Sequence, residues 1–391
     1  MHRRARAAIG AACAGCAGIV VLLVVSLLTG VALGAALPTE PSTALRIRLP
    51  LWLAAAALGG GLQVVGPGAG RVSMLNDGGL IGPPQGLSAV GSERFRLDVI
   101  PLPLTLVTML AIGLVLRRMI PADRVTVRVI AGSALIVAAV LAAAGLVLAF
   151  AADYAAVDAG VHPGRVVTPV GAATVGIAAT LAAHVPRLPA VRRGPFGPAL
   201  RAAGVVGSAV ALLGMLAAAL VGAFGRLGIV DTLVSNHHAS GAAKALLGAL
   251  LGPAAGFDAV LVGAGAPLHI AGHAFGFAEA RTWLLPEAVD RRPLSIFLPL
   301  GTALVVIIGG VVVHLARHSG AALARSVAAY AVVFTGAAAL AQLACHIDFR
   351  RVYRGAVSES ATIATAWPMT LVVAALAGIL VALIGRASTA S

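Results

Sequence analysis

The stretch whose reading decides the fold runs from Leu49 to Arg118. It opens as LPLWLAAAALGGG (49–61), continues LQVVGPG (62–68), and becomes a glycine-rich polar loop carrying Asp77, Glu93, Arg94, Arg96 and Asp98. The next run, VIPLPLTLVTMLAIGLVL (99–116), enters on Pro101 and Pro103 and stops at Arg117-Arg118. An uninterrupted apolar run of about 18 residues is long enough to cross ~30 Å of hydrocarbon as a helix. The second run meets that length cleanly. The first is broken at Gly59-Gly60-Gly61 and again at Gly66-Pro67-Gly68, so it reads as an interrupted segment.

The same grammar returns at Ala242–Arg317. There an apolar run broken by Gly252-Pro253 and Asp258 leads into a histidine-rich polar loop. That loop feeds residues 294–313, which enter on Pro293 and Pro299 and stop at Arg317-His318. The pattern predicts an all-α, polytopic transmembrane bundle of two similar halves, with about 8–10 hydrophobic segments of which two are interrupted or re-entrant. The first half, residues 1–186, holds spans at about 10–35, 99–116, 129–152 and 166–185 and the broken segment 49–66. Residues 187–201 form a linker dense in Pro and Arg, where prolines stop helix propagation. The second half, residues 202–391, holds spans at about 202–225, 294–313, 326–345 and 362–385 and the broken segment 245–265.

Composition agrees. Of 391 residues 60% are hydrophobic and 11% charged, and the mean hydropathy is +1.00; soluble domains carry about a quarter charged residues. The net charge of +14 comes from short basic clusters at the ends of apolar runs, the pattern of cytoplasmic loops, and only 4% of residues are aromatic. Nucleic acid is therefore not an expected partner; the lipid bilayer is. Cys13 and Cys16 lie inside the first apolar run and Cys345 at the end of another, so they frame neither a disulfide network nor a zinc site. The basic start His2-Arg3-Arg4-Ala5-Arg6 precedes a run too long for a signal peptide, which suggests a retained first span.

Two topologies compete. If every segment crosses, the clusters at Arg117–Arg128 and Arg187–Arg201 fall on the side opposite the amino terminus. If 49–66 and 245–265 dip in and return, those short clusters join both termini in the cytoplasm. Short loops dominate the positive-inside rule, so the re-entrant model with eight crossings of the plasma membrane is preferred.

Chemistry-bearing residues are sparse. Asp258 is the one acid inside an apolar segment, which makes it a candidate proton or cation ligand; a wet position at a segment mouth is the plainer alternative. Non-helical backbone at membrane depth needs cover by protein or water, so Gly59, Gly60, Gly61, Gly252 and Pro253 join Asp258 as transport-path candidates. His237, His238, His269 and His273 form a weak metal candidate, with His269 and His273 sharing one face if helical. The zinc-protease signature needs Glu after the first His, where Ile270 stands, so solvated histidines are the preferred reading. His184 and His314 are expected to snorkel, and Trp52, Trp283, Trp367, Tyr154 and Tyr353 to anchor at the interface. No nucleophile–base pair, paired acids or phosphate loop is evident, so neither an enzyme nor a cofactor is expected.

A first span ending Gly-Val-Ala-Leu-Gly, the glycine-rich loop after it and the re-entry Val99-Ile100-Pro101-Leu102-Pro103-Leu104-Thr105-Leu106 resemble the streptophobe family of uncharacterised integral membrane proteins. A weaker echo covers Leu298–Arg317 and Trp367–Gly385. The resemblance implies a polytopic envelope protein with no established activity, and it transfers no functional residue. The sequence as a whole points first to a transporter, or to the membrane subunit of one paired with a separate energising or envelope subunit. The alternative is a scaffold or regulator acting through its extracytoplasmic loops.

Overall fold

The computed structural model describes residues 2–36, 43–60, 62–66, 93–98, 100–155, 160–224, 241–274, 277–283, 302–303, 305–310, 323–345, 347–353 and 356–387. Gly61, His237, His238 and His314 lie outside them.

Ten helices are described: α1 (His2–Ala36), α2 (Thr43–Ala57), α3 (Leu102–Met119), α4 (Val127–Ala151), α5 (Val167–His184), α6 (Pro189–Arg193), α7 (Phe196–Phe224), α8 (Gly241–Gly263), α9 (Leu323–Cys345) and α10 (Trp367–Ala387). A further helical stretch covers 305–310 within the expected span 294–313. Seven helices (α1, α3, α4, α5, α7, α9 and α10) are long and apolar enough to cross a membrane. Their large apolar side chains face outward: Leu28 on α1 is 65% exposed, Leu135 on α4 70% and Leu212 on α7 64%. In water such a surface would be an aggregation site; facing lipid it is the ordinary solvent contact. The chain is an integral membrane helical bundle.

Helix ends follow local chemistry. Helix α3 starts on Pro101 and Pro103, where a missing N–H costs nothing, and ends with Arg117 and Arg118 in its last turn. Helix α4 is capped by Thr126, whose hydroxyl accepts from the Val129 N–H. The expected linker 187–201 is shorter than predicted: α7 already starts at Phe196, because Pro198 falls in its first turn, where proline is tolerated.

The loops hold an element that the hydropathy pattern does not reveal. Eight short strands make one sheet in the order β3-β4-β1-β2-β7-β8-β5-β6. Their ranges are β1 (Leu62–Gly66), β2 (Glu93–Asp98), β3 (Tyr154–Ala155), β4 (Gly160–Pro163), β5 (Leu268–Ala274), β6 (Phe277–Trp283), β7 (Ile347–Tyr353) and β8 (Ala356–Thr365). Every pairing is antiparallel, and β2–β7 joins strands far apart in sequence, with Leu97 opposite Phe349. Residues expected as loops, and part of the broken segment 49–66, are therefore paired strand.

The sheet decides the topology. It draws on the segments after α2, α4, α8 and α9, so all four lie at one end of the bundle, the sheet end. Ten crossings would put the first two opposite the last two. Helix α2 is held at the sheet end by contacts along its length. Its 15 residues span only about 22 Å. Arg48 near its start donates to the Asp153 carbonyl at 2.7 Å, and the Gly60 carbonyl after its end accepts from the Gly164 N–H at 2.8 Å. Helix α8 runs antiparallel to α7, with Gly248 against Ala218 and Gly256 against Val210, so it starts from the same end. It bends by 49° just past Pro253, which removes an N–H and crowds the preceding turn. Strand β5 begins five residues after its end.

The main core sits among α1, α3, α4 and α5 around Leu22, Ile112, Leu116, Val137 and Leu141. A second core joins α7, α9 and α10 at Ala202, Tyr330, Phe334 and Val381. Helix α8 touches both sides, since Leu250 joins the first core and Ala254 and Phe257 pack beside Leu102 of α3 and Ala344 of α9.

This topology makes a direct prediction. In a cysteine-free background, Arg165→Cys at the sheet end and Arg192→Cys at the far end should react with a membrane-impermeant maleimide from opposite faces of the membrane. Labelling of both from one face would contradict it.

Candidate functional site

Two helices end at matching turns at the sheet end of the bundle. In α2 the Gly59 N–H donates to the Ala56 carbonyl (2.8 Å) and the Gly60 N–H to the Ala55 carbonyl (2.9 Å). In α8 the Gly265 N–H donates to Val262 (2.9 Å) and the Ala266 N–H to Leu261 (2.9 Å). Both are Schellman caps, which need a left-handed residue after the helix; Gly59 has φ +78° and Gly265 φ +95°. The cap satisfies carbonyls that would otherwise be orphaned where water is scarce.

Neighbouring helices supply further donors. Thr105 Oγ1 of α3 donates to the Ala57 carbonyl at 2.6 Å, and Thr302 Oγ1 donates to the Val260 carbonyl at 2.9 Å. At the head of α10 the Ala366 N–H donates to the Pro267 carbonyl at 3.0 Å, as Gly164 does to Gly60 ahead of α5. Thr168 and Thr370, both fully buried, follow those two donors by one helical turn. Gln342 of α9 donates to the Thr365 carbonyl, and Thr370 Oγ1 lies 3.1 Å from Thr365 Oγ1. Sequence reasoning misses Thr105 and Thr302, because each serves a carbonyl on another apolar run; their one visible mark is their place just inside a helical stretch.

Among the described residues, the glycine and proline candidates occupy packing and capping positions. Gly59 and Gly60 form the α2 cap, and a Cβ on Gly60 would sit 2.5 Å from Thr168 Oγ1. Gly252 is buried, and a Cβ there would meet the Gly214 carbonyl and Met215 Cα of α7, each at 2.5 Å. Gly248, Gly252 and Gly256 thus form a GxxxGxxxG stripe that brings two helix backbones into contact, a spacing that could have identified this face from the sequence. Pro253 stays inside α8, at its bend.

Asp258 is partly buried in the last turns of α8, on the helix face that Ala254 and Leu261 bury. The residue before it, Phe257, packs with Ala254 beside Ile100, Leu102 and Ala344, where α8 meets α3 and α9. Among the described residues no hydrogen bond or ion pair engages its carboxylate.

His269 and His273 lie on strand β5 rather than on a helix. At ~3.3 Å per residue their Cα atoms are about 13 Å apart on the strand, so the expected one-turn helical spacing is not formed. Among the described residues no group of three or more His, Cys, Asp or Glu could hold a metal. His184 does not snorkel: it is fully buried, with neither ring nitrogen hydrogen-bonded among the described residues. Trp52 is not an interfacial anchor either; it is 6% exposed and its Nε1 donates to the Ala152 carbonyl at 2.7 Å.

A second polar cluster joins α2 to the end of α4. The Asp153 carboxylate contacts His162 Nδ1 of β4 through one oxygen, and through the other accepts from Arg165 at 2.6 Å. Arg165 also lies over the Phe150 ring, 5.3 Å from its centroid. The Arg165 guanidinium, helped by His162, holds the Asp153 carboxyl below its ordinary 3.8 against the opposing effect of partial burial.

No family model, curated protein or solved structure matches the chain. Its functional reading rests on geometry.

Two outcomes are expected. Because the folded Asp153 pKa is depressed, the clasp's contribution is complete above the ordinary carboxylate value and is lost only as pH falls below it. Asp153→Asn should lower stability by about 1–3 kcal/mol at pH 7, and the gap should shrink only below about pH 4; a gap that closes between pH 7 and 5 would be inconsistent. Gly252→Val should cost about 1–3 kcal/mol by forcing α7 and α8 apart. Gly204→Val, with nothing within 4 Å of the added Cβ, should leave the melting temperature of the detergent-purified protein nearly unchanged.

Proposed function

We propose that the chain is a transport protein of the plasma membrane, or the membrane subunit of a transport system. Its path runs at the sheet end between the re-entrant helices α2 and α8, and Asp258 binds a proton or small cation there. The observation that carries this reading is a partly buried carboxylate, without a partner among the described residues, on a bent helix packed within the membrane bundle. An ionisable group in such a place is costly unless function retains it.

Local likenesses between the first and second parts of the chain support the reading. Helices α2 and α8 end in the same cap, and β1 and β5 each begin three residues after the left-handed glycine. Strand β1 pairs with β2 and β4, as β5 pairs with β6 and β8. Paired re-entrant segments in repeated halves are a recurring transporter plan, with the site between them. The halves differ at one informative position. Seven residues before each left-handed glycine stands Trp52 in α2 and Asp258 in α8, so only the second half carries the acid. Short basic loops at the far end favour a cytoplasmic position for that end and for both termini. The resemblance to the streptophobe family belongs to this same proposal, as does pairing with an energising or envelope subunit.

A second reading, a scaffold acting through its outer loops, draws on the eight-stranded sheet that those connecting segments form.

Reconstituted vesicles with a trapped pH-sensitive dye separate the two. Under the transport reading Asp258→Asn abolishes proton or cation flux and Asp258→Glu retains part of it, with folding unchanged in both. Identical flux in wild type and Asp258→Asn removes the carboxylate from the path and leaves the scaffold reading.

A further inference from the structure

We propose that the groove between α3 and α5 at the far end of the bundle binds an anionic phospholipid, its phosphate held by Arg117 and Arg118. Such a site is independent of transport and needs only that the bundle sits in a bilayer. Helix α3 presents Leu110 and Leu114 outward, 61% and 54% exposed, and α5 presents Ile177 and Leu181, 40% and 42% exposed. Between them Gly113 has no side chain, and an added Cβ would lie 3.8 Å from Ala183 Cβ, so the seam is shallow. Arg117 and Arg118 follow Leu114 by three and four residues and therefore continue its stripe. One acyl chain laid along the leucines brings a headgroup to these guanidinium groups.

The charge at this level is one-sided. Arg187, on the turn after α5, donates to the Ile120 carbonyl at 2.9 Å and ties the linker against the end of α3. Arg192 and Arg193 follow, exposed, on α6. Asp123 is the only acid in residues 102–151 and 167–193, and it already has Arg124 at 4.0 Å. A phosphodiester supplies the missing negative charge. Basic pockets between transmembrane helices hold lipid headgroups by this combination, and arginine matches phosphate in a fork geometry.

The test uses full-length protein in detergent micelles doped with phosphatidylglycerol or phosphatidylcholine, with lipid binding read by native mass spectrometry and stability by thermal unfolding. Wild type should bind phosphatidylglycerol preferentially and gain melting temperature from it. Arg117→Gln/Arg118→Gln should lose about tenfold or more of that affinity while melting normally without lipid. Arg325→Gln, an exposed charge at the start of α9, should keep the preference. Equal binding of the two lipids by wild type overturns the proposal. So does a double variant that keeps wild-type preference, or an Arg325→Gln loss as large as that of the double variant, which would mean diffuse charge attraction rather than a site.

Discussion

Backbone amides and carbonyls in a hydrocarbon environment must be paired, and this constraint organises the molecule. Spanning helices meet it internally. Helices α2 and α8 cannot, because each stops within the bundle's sheet end, and the surroundings of those two stops are arranged to satisfy them. A left-handed glycine folds the chain back onto its own last carbonyls. Thr105 and Thr302 reach across from neighbouring helices, and the Gly164 and Ala366 amides close the far side of each turn. The strands continue the same logic, since the chain leaving each cap enters a sheet in which its next polar groups are paired.

Without a hydrophobic drive between helices in lipid, close contact depends on shape, and small residues supply it. Gly15 admits Val140, Gly18 admits Ile112, and Gly30 admits the ring of Pro50, each with an ideal Cβ under 3 Å from its neighbour. These contacts fix α1 against α4, α3 and α2 in turn. The GxxxGxxxG face of α8 does the same against α7. A helix held backbone to backbone at its start and capped at its end is a rigid support, and Asp258 sits on it beside the junction with α3 and α9.

The spans are legible in the sequence and the sheet is not. Apolar runs bounded by Arg, Pro or Asp identify α3, α4, α5, α9 and α10 to within a few residues, because length and hydropathy are local properties. The sheet depends on partners remote in sequence: residues 93–98 pair with 347–353, and no local alternation in such short, charged or glycine-rich stretches announces it. The broken segments are visible as broken, but not the cause of each break. Gly252 and Pro253 have the composition of an interruption, whereas the helix runs through them and uses Gly252 to approach α7. Asp258 is legible as an acid in an apolar run. The clasp of Asp153, His162 and Arg165 is not, since its three residues come from a helix end, a strand and a turn that only the fold brings together.

The re-entrant reading of α8 rests on the sheet joining both parts of the chain at one end of the bundle. The most direct measurement is cross-linking of Leu97→Cys with Phe349→Cys, Cα partners across the β2–β7 seam, by a short bis-maleimide in intact membranes. An efficient intramolecular cross-link is the predicted result. Two cysteines that react singly, from opposite faces of the membrane, and never with each other would contradict the re-entrant topology.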